Sequence, residues 1–132
     1  MPAAVRIGPQ AEDGSLGFDL GEVLRTVGDQ SRLSWTMTGA YVLSPTPPSG
    51  DLWTINPADA VVTWSDLVDL SLVWLQVIDG TFIGRLGLGA PQLVITAVDS
   101  SYWVVWATDA LVIARIRESF RHVESCAAPR TV

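Results

Sequence analysis

Few residues in this chain are equipped for chemistry. There is one histidine, His122, and one cysteine, Cys126, and all eight basic residues are arginines. Asp99-Ser100-Ser101 sets hydroxyls beside an acid. A serine nucleophile needs a general base within hydrogen-bond reach. Nothing in the sequence pairs these serines with His122. Turn chemistry accounts for the same tripeptide, because Asp and Ser bond their own backbone. No catalytic residue is assigned, and the balance is against an enzyme.

Gly84-Arg85-Leu86-Gly87-Leu88-Gly89 has the glycine density of a phosphate loop. Its spacing, G-x-x-G-x-G, reverses the dinucleotide fingerprint. Ala90-Pro91 and a strand follow it rather than a helix. A strand connection is expected there.

The carboxylates Asp59, Asp66, Asp69 and Asp79 flank or ride a central helix. Asp66 and Asp69 are three apart and share a face. Paired acids can do acid–base work or bind a hard cation. The D-x-D-x-D-G ligand spacing is absent, so no metal and no cofactor is expected. A solvated stripe explains the set. The functional alternative is a docking stripe of Asp59, Asp66 and Asp69 facing a basic protein.

Six tryptophans offer stacking surfaces. Trp64 and Trp74 are separated by about 80° around a helix axis. Trp103 points to the opposite side of its strand from Tyr102 and Trp106. Core filling is the default for each. Whichever of Trp103 or the Tyr102/Trp106 pair points away from the core becomes an interface anchor, since Trp and Tyr dominate binding hot spots. Cys126 has no base or partner thiol nearby in sequence and is read as an incidental free thiol.

The elements that must position these groups fit one domain of 132 residues. Residues 1–17, rich in Pro, Gly and Ala, are expected to be a flexible N-terminal arm. Residues 18–122 form the single domain, and 123–132 a C-terminal tail. Leu20, Val23, Leu24 and Val27 share a helical face, and Gly28-Asp29 stops that helix. Leu33–Leu43 alternates with period two, and Gly39 marks a bulge. Pro45, Pro47 and Pro48 make an extended loop. Asn56-Pro57-Ala58-Asp59 suits one helical turn.

Thr63-Trp64-Ser65-Asp66 has capping-box spacing. The helix it starts is expected to run to about Ile78. That helix is apolar nearly all round, and so mostly buried with a narrow wet stripe. Thr81–Leu86 reads as a strand. Leu93–Val98 and Tyr102–Ala107 read as an antiparallel hairpin that is apolar on both faces. Thr108 caps a last helix, Asp109–Phe120. The expected fold is α+β: an antiparallel sheet of about four strands packed with about three helices in two layers.

Net charge is −6 and the pI about 4.4. Acidity disfavours nucleic acid and anionic membrane as partners. It suits a basic protein partner steered over long range. No apolar run approaches the roughly 20 residues a membrane helix needs. The N-terminus has no apolar signal region. A lone cysteine fits a reducing compartment, so a cytoplasmic protein is expected.

These properties match a non-enzymatic bacterial protein-binding module, such as a small acidic immunity or antitoxin-type protein that neutralises a partner by docking. The expected contact residues are Asp59, Asp66, Asp69, Tyr102, Trp103 and Trp106. One alternative is a small-molecule binder or carboxylate-dependent enzyme with a Trp-lined pocket. The other is a structural homodimer that buries the spare face of the hairpin.

Overall fold

The computed structural model describes residues 2–43, 52–55 and 60–130. The proline loop and the turn at 56–59, with Asp59, lie outside them. The described elements are β1 (Ala3–Ile7), α1 (Leu20–Val27), β2 (Ser34–Leu43), β3 (Leu52–Ile55), β4 (Ala60–Val62), α2 (Trp64–Val73), β5 (Gln76–Arg85), β6 (Pro91–Val98), β7 (Tyr102–Ala107), α3 (Ala110–Ser119) and β8 (Val123–Ser125). Seven strands form one antiparallel sheet in the order β3-β2-β5-β6-β7-β1-β8. The short β4 pairs with β2 beside β3.

The chain is α+β with a single sheet, but the expected four strands are too few. Two of the added strands, and the lengthening of an expected one, have clear physical causes. Ala3–Ile7 lies in the segment expected to be an arm, yet Val5 and Ile7 are fully buried and the strand pairs with β7 and β8 on its two edges. Val123–Ser125 lies in the expected tail and pairs with β1. Gln76-Val77-Ile78, expected to end a helix, instead opens the ten-residue β5. There the backbone takes hydrogen-bonded partners from β2, with Val42 opposite Val77 and Leu43 opposite Gln76.

Strand register aligns the core in rows. Ala107, Leu93, Gly84, Trp35 and Val62 cross the sheet in one row. Val5, Val105, Ile95, Phe82 and Met37 form the next, and Ile7, Trp103, Ala97 and Gly80 a third. Nearly all of these side chains join one hydrophobic core with Leu20, Val23, Leu24 and Val27 of α1, Leu67 of α2, and Val112, Ile113 and Ile116 of α3. All three helices therefore cover one face.

The alternate residues Ala4, Trp106, Val94, Ile83 and Thr36 form a row on the opposite face. The C-terminal segment crosses this second face. The Cys126 N–H donates to the Ala4 carbonyl at 3.1 Å. Residues 127–130 wall a cleft of about 440 Å³ over Thr81, Thr96, Val98, Tyr102 and Val104. The doubly apolar hairpin is thus explained by helices on one side and partial cover by the chain's own end on the other.

The hairpin turn has left-handed φ at Asp99 (49°) and Ser100 (56°), the twist that suits two antiparallel strands. The bulge expected at Gly39 is present. Its φ is 61°, and the β2–β5 register shifts between Thr38 and Tyr41. No described helix is long and apolar enough to cross a membrane.

Candidate functional site: the outer face of α2 and its groove with α1

Helix α2 begins where its sequence directs. The Thr63 hydroxyl accepts from the Asp66 N–H at 3.0 Å, and the Asp66 carboxylate accepts from the Thr63 N–H at 3.3 Å. This reciprocal pair satisfies two of the donors a helix start leaves open. The helix ends at Val73, five residues short of the expected Ile78. The Trp74 N–H closes on the Leu70 carbonyl at 2.9 Å, and the next N–H, of Leu75, leaves the helix for the Leu43 carbonyl at 2.8 Å.

The expectation that α2 is mostly buried fails. Leu67 alone is fully buried, with Trp64, Val68 and Leu70 partly buried against the core. Ser65, Asp66, Asp69, Leu72 and Val73 lie on the outward face, and Leu72 and Val73 are exposed with the polar residues. Leu72 is 72% exposed, Val73 46%, and Leu75 just beyond them 59%. Asp69 precedes Leu72 by three and Val73 by four, so carboxylate and apolar side chains are neighbours on the helix surface.

The inner flank of α2 meets α1 across a groove of about 350 Å³. Leu24, Val68 and Trp64 supply apolar walls. The Trp64 ring packs on Trp35 with centroids 5.4 Å apart. Leu72 belongs to both the groove and the outward face. At the rim, Arg25 stands 3.4 Å from Glu22. The Ser31 backbone N–H and hydroxyl hold the Asp29 carboxyl below its ordinary pKa.

The expected contact residues do not form one surface. Asp66 and Asp69 share the outer face of α2, and Asp59 lies outside the described residues. Trp103 is fully buried, so it offers no contact area. Its ring packs near Phe18 at 6.5 Å. Tyr102 and Trp106 are half-buried on the far side of the sheet from α2, and the Arg6 guanidinium sits 4.1 Å over the Tyr102 ring. The acidic stripe and this aromatic pair therefore cannot engage the same flat partner surface.

A second concavity of about 680 Å³ lies at the end of the sheet, walled by residues 14–19, Glu22, Leu75, Gln76, Ser100 and Ser101. Asp19 precedes the first turn of α1 and reaches across to β5. Its two carboxylate oxygens accept from the Val77 N–H at 3.0 and 3.2 Å. Burial pushes its pKa up to about 6, opposed by the Leu20 and Val77 N–H groups and reinforced by Glu22. Gln76 Nε2 donates to Ser100 Oγ at 3.1 Å. Among the described residues, neither histidine nor cysteine lines this cleft, and the Ser15 hydroxyl donates to the Asp13 carboxylate at 2.7 Å. No described group of three His, Cys, Asp or Glu residues converges in metal-binding geometry.

Comparison of the chain with protein-family models, curated proteins and solved structures finds no match.

Sequence reasoning missed Leu72, Val73 and Leu75 by assigning all apolar residues of α2 to the interior. The outward positions of Asp66 and Asp69 carried the signal, because Leu72 and Val73 recur at helical spacing from them. Asp19 was also missed, although Asp19-Leu20-Gly21-Glu22 has the same capping-box spacing as residues 63–66. The Glu22 carboxylate duly accepts from the Asp19 N–H at 2.7 Å.

Proposed function

We propose that the protein is a non-enzymatic, cytoplasmic docking module of the immunity type. It binds a basic protein through the outer face of α2. The observation that carries this proposal is the run of exposed Leu72, Val73 and Leu75 beside exposed Asp66 and Asp69. These side chains leave much of their apolar surface in water, and a group of them rimmed by charge is characteristic of an interaction surface. The carboxylates supply steering and the apolar residues supply area to bury. The overall charge of −6 adds to the attraction for a cationic partner.

The test compares captures from native-host lysate by the wild-type chain and by an Asp69→Arg/Leu72→Ser variant, at low and high salt. One stoichiometric basic protein, held by wild type at low salt and lost by the variant, is the expected result. Capture that is indifferent to both the substitutions and salt overturns the proposal.

The cleft at Asp19 supports a second reading, a small-molecule binder. Its half-buried carboxylate stands with Glu22, Gln76 and three serines in a space large enough for a metabolite. The cleft is not lined by tryptophan. A cationic metabolite would raise the melting temperature of wild type but not of Asp19→Asn. A metabolite screen that stabilises both equally removes this reading.

A further inference from the structure

We propose that the groove between α1 and α2 is an anchor pocket. It would receive an aromatic side chain from the basic partner, with a neighbouring Lys or Arg of that partner meeting Asp29. This rests on the docking role proposed for α2 and adds to it the chemistry of the partner's central contact.

Four observations carry the assignment. The first is size and polarity. The groove holds about 350 Å³ between Leu24, Trp64, Val68 and Leu72. An apolar cavity of about 150 Å³ already accommodates benzene, so a phenyl or indole ring fits. The second is rigidity. Leu24 is a core residue and Trp64 is packed on the fully buried Trp35. The pocket is therefore formed before any partner arrives, which lowers the ordering cost of binding.

The third observation is the residue at position 21. Glycine in a helix forgoes about 0.5–1 kcal/mol relative to alanine, yet Gly21 sits in α1 where it faces α2. A Cβ there would stand 3.8 Å from Ser71 Oγ and 3.4 Å from Arg25 Nη1. There is room for a methyl group, so glycine is not required by the packing of the two helices. A longer side chain would project into the groove.

The fourth is charge. α2 carries Asp66 and Asp69 and no basic residue. The rim cation Arg25 stands beside Glu22. Asp29 accepts from the Ser31 N–H at 2.9 Å, and the nearby Arg32 charge favours its ionised form without closing a salt bridge among the described residues. An arriving cation thus finds Asp29 in the groove lining and Asp66 and Asp69 on the adjoining outer face of α2. Leu72 joins the groove to the outer face of α2, so a partner seated on that face places a side chain directly over the opening. Hot spots have this form, a buried aromatic residue in a pocket surrounded by polar contacts.

The test uses the full chain, labelled with ¹⁵N, and two probes that share a ring and differ in charge, phenethylammonium and phenylacetate. Phenethylammonium is expected to shift the amides of Gly21, Gly28 and Ser71 and the Trp64 indole N–H. Phenylacetate is expected to bind at least fivefold more weakly. Gly21→Leu should abolish the shifts, and Asp29→Asn should bring the two probes toward equal affinity. Absence of localised shifts, or equal binding of both probes to wild type, overturns the pocket.

The same variants are then assayed for partner capture. If Asp69→Arg weakens capture and Gly21→Leu does not, the docking surface stands and the anchor assignment falls. If Gly21→Leu blocks the probe while the α2 variants leave capture intact, the groove serves a small ligand and the partner-anchor assignment falls with the docking role.

Discussion

Gly84 and Trp35 face each other across the β2–β5 pair, and the indole occupies the space that a side chain at position 84 would need. A Cβ at Gly84 would lie 2.9 Å from Trp35 Cζ2 and 2.9 Å from Leu33 Cδ1. Trp35 cannot retreat easily. It is fully buried, its indole N–H donates to the Gln30 carbonyl at 3.1 Å, and its outer face carries the Trp64 ring.

Gly84→Ala should therefore be destabilising by about 1–3 kcal/mol, the usual cost of overpacking a close-packed core. Adding Trp35→Phe to that variant removes the clashing ring edge, so the double variant should recover part of the loss. The two substitutions should show a favourable coupling energy in a double-mutant cycle from urea denaturation. A Gly84→Ala variant within about 0.5 kcal/mol of wild type would show that the indole has more freedom than its contacts imply.

Asp19 predicts a specific pH dependence. Its pKa in the folded protein is raised to about 6 from an ordinary value near 3.8. Between those values the folded state binds more protons than the unfolded state, so this group's contribution to stability falls as pH rises from about 4 to about 6. The cleft is open to water, and screening reduces the effect to about 1 kcal/mol. Asp19→Asn keeps an acceptor for the Val77 N–H and removes the charge. Its stability relative to wild type should therefore rise across that window and be level above it. Asp19→Ala shares that pH-dependent change and in addition leaves the Val77 N–H unpaired, at a further cost of about 1–2 kcal/mol. Parallel pH profiles for wild type and the Asp19→Asn variant would refute the assigned pKa.

The cap of α2 separates the structural and binding roles of Asp66. Thr63→Ala removes the hydroxyl that accepts from the Asp66 N–H and should cost about 1 kcal/mol. Asp66→Asn keeps a side-chain acceptor for the Thr63 N–H and should cost less than Thr63→Ala, while still removing a charge from the docking face. Thermal denaturation of the two variants checks the order. It also identifies Asp66→Asn, rather than Asp66→Arg, as the variant suited to binding assays.

Local rules account for the parts of the fold that were legible in the sequence. Leu93–Val98 and Tyr102–Ala107 announced a hairpin by β-branched and aromatic content around a polar turn. Thr63-Trp64-Ser65-Asp66 announced a helix start. What escaped depends on contacts distant in sequence. Residues 67–78 are mostly apolar, and periodicity alone does not separate a buried strand from a buried helix. No glycine or proline marks the break at Trp74–Leu75, which is made by the bond from Leu75 to Leu43. Ala3–Ile7 is too short to declare its alternation, and it is a strand because β7, about a hundred residues away, offers it an edge. At the site, Asp66 and Asp69 were legible as a shared face. The exposure of Leu72 was not, because it depends on how α2 is rolled against the core. The importance of Asp19 depends on Val77, 58 positions later.

Gly21 offers the sharpest separation between stability and binding. Its backbone is helical, and a methyl group at this position meets only the flexible tip of Arg25 at 3.4 Å and residue Ser71, whose Oγ is at 3.8 Å. Gly21→Ala should therefore stabilise the protein by about 0.5 kcal/mol through helix propensity and reduced freedom of the unfolded chain. The gain should appear as a higher urea midpoint with an unchanged slope. The same methyl group narrows the mouth of the groove between α1 and α2, so phenethylammonium should bind this more stable variant more weakly than wild type. A glycine held only by folding requirements would give neither a gain in stability nor a loss of probe binding. The two changes together, in opposite directions, are what a residue maintaining an open pocket must produce.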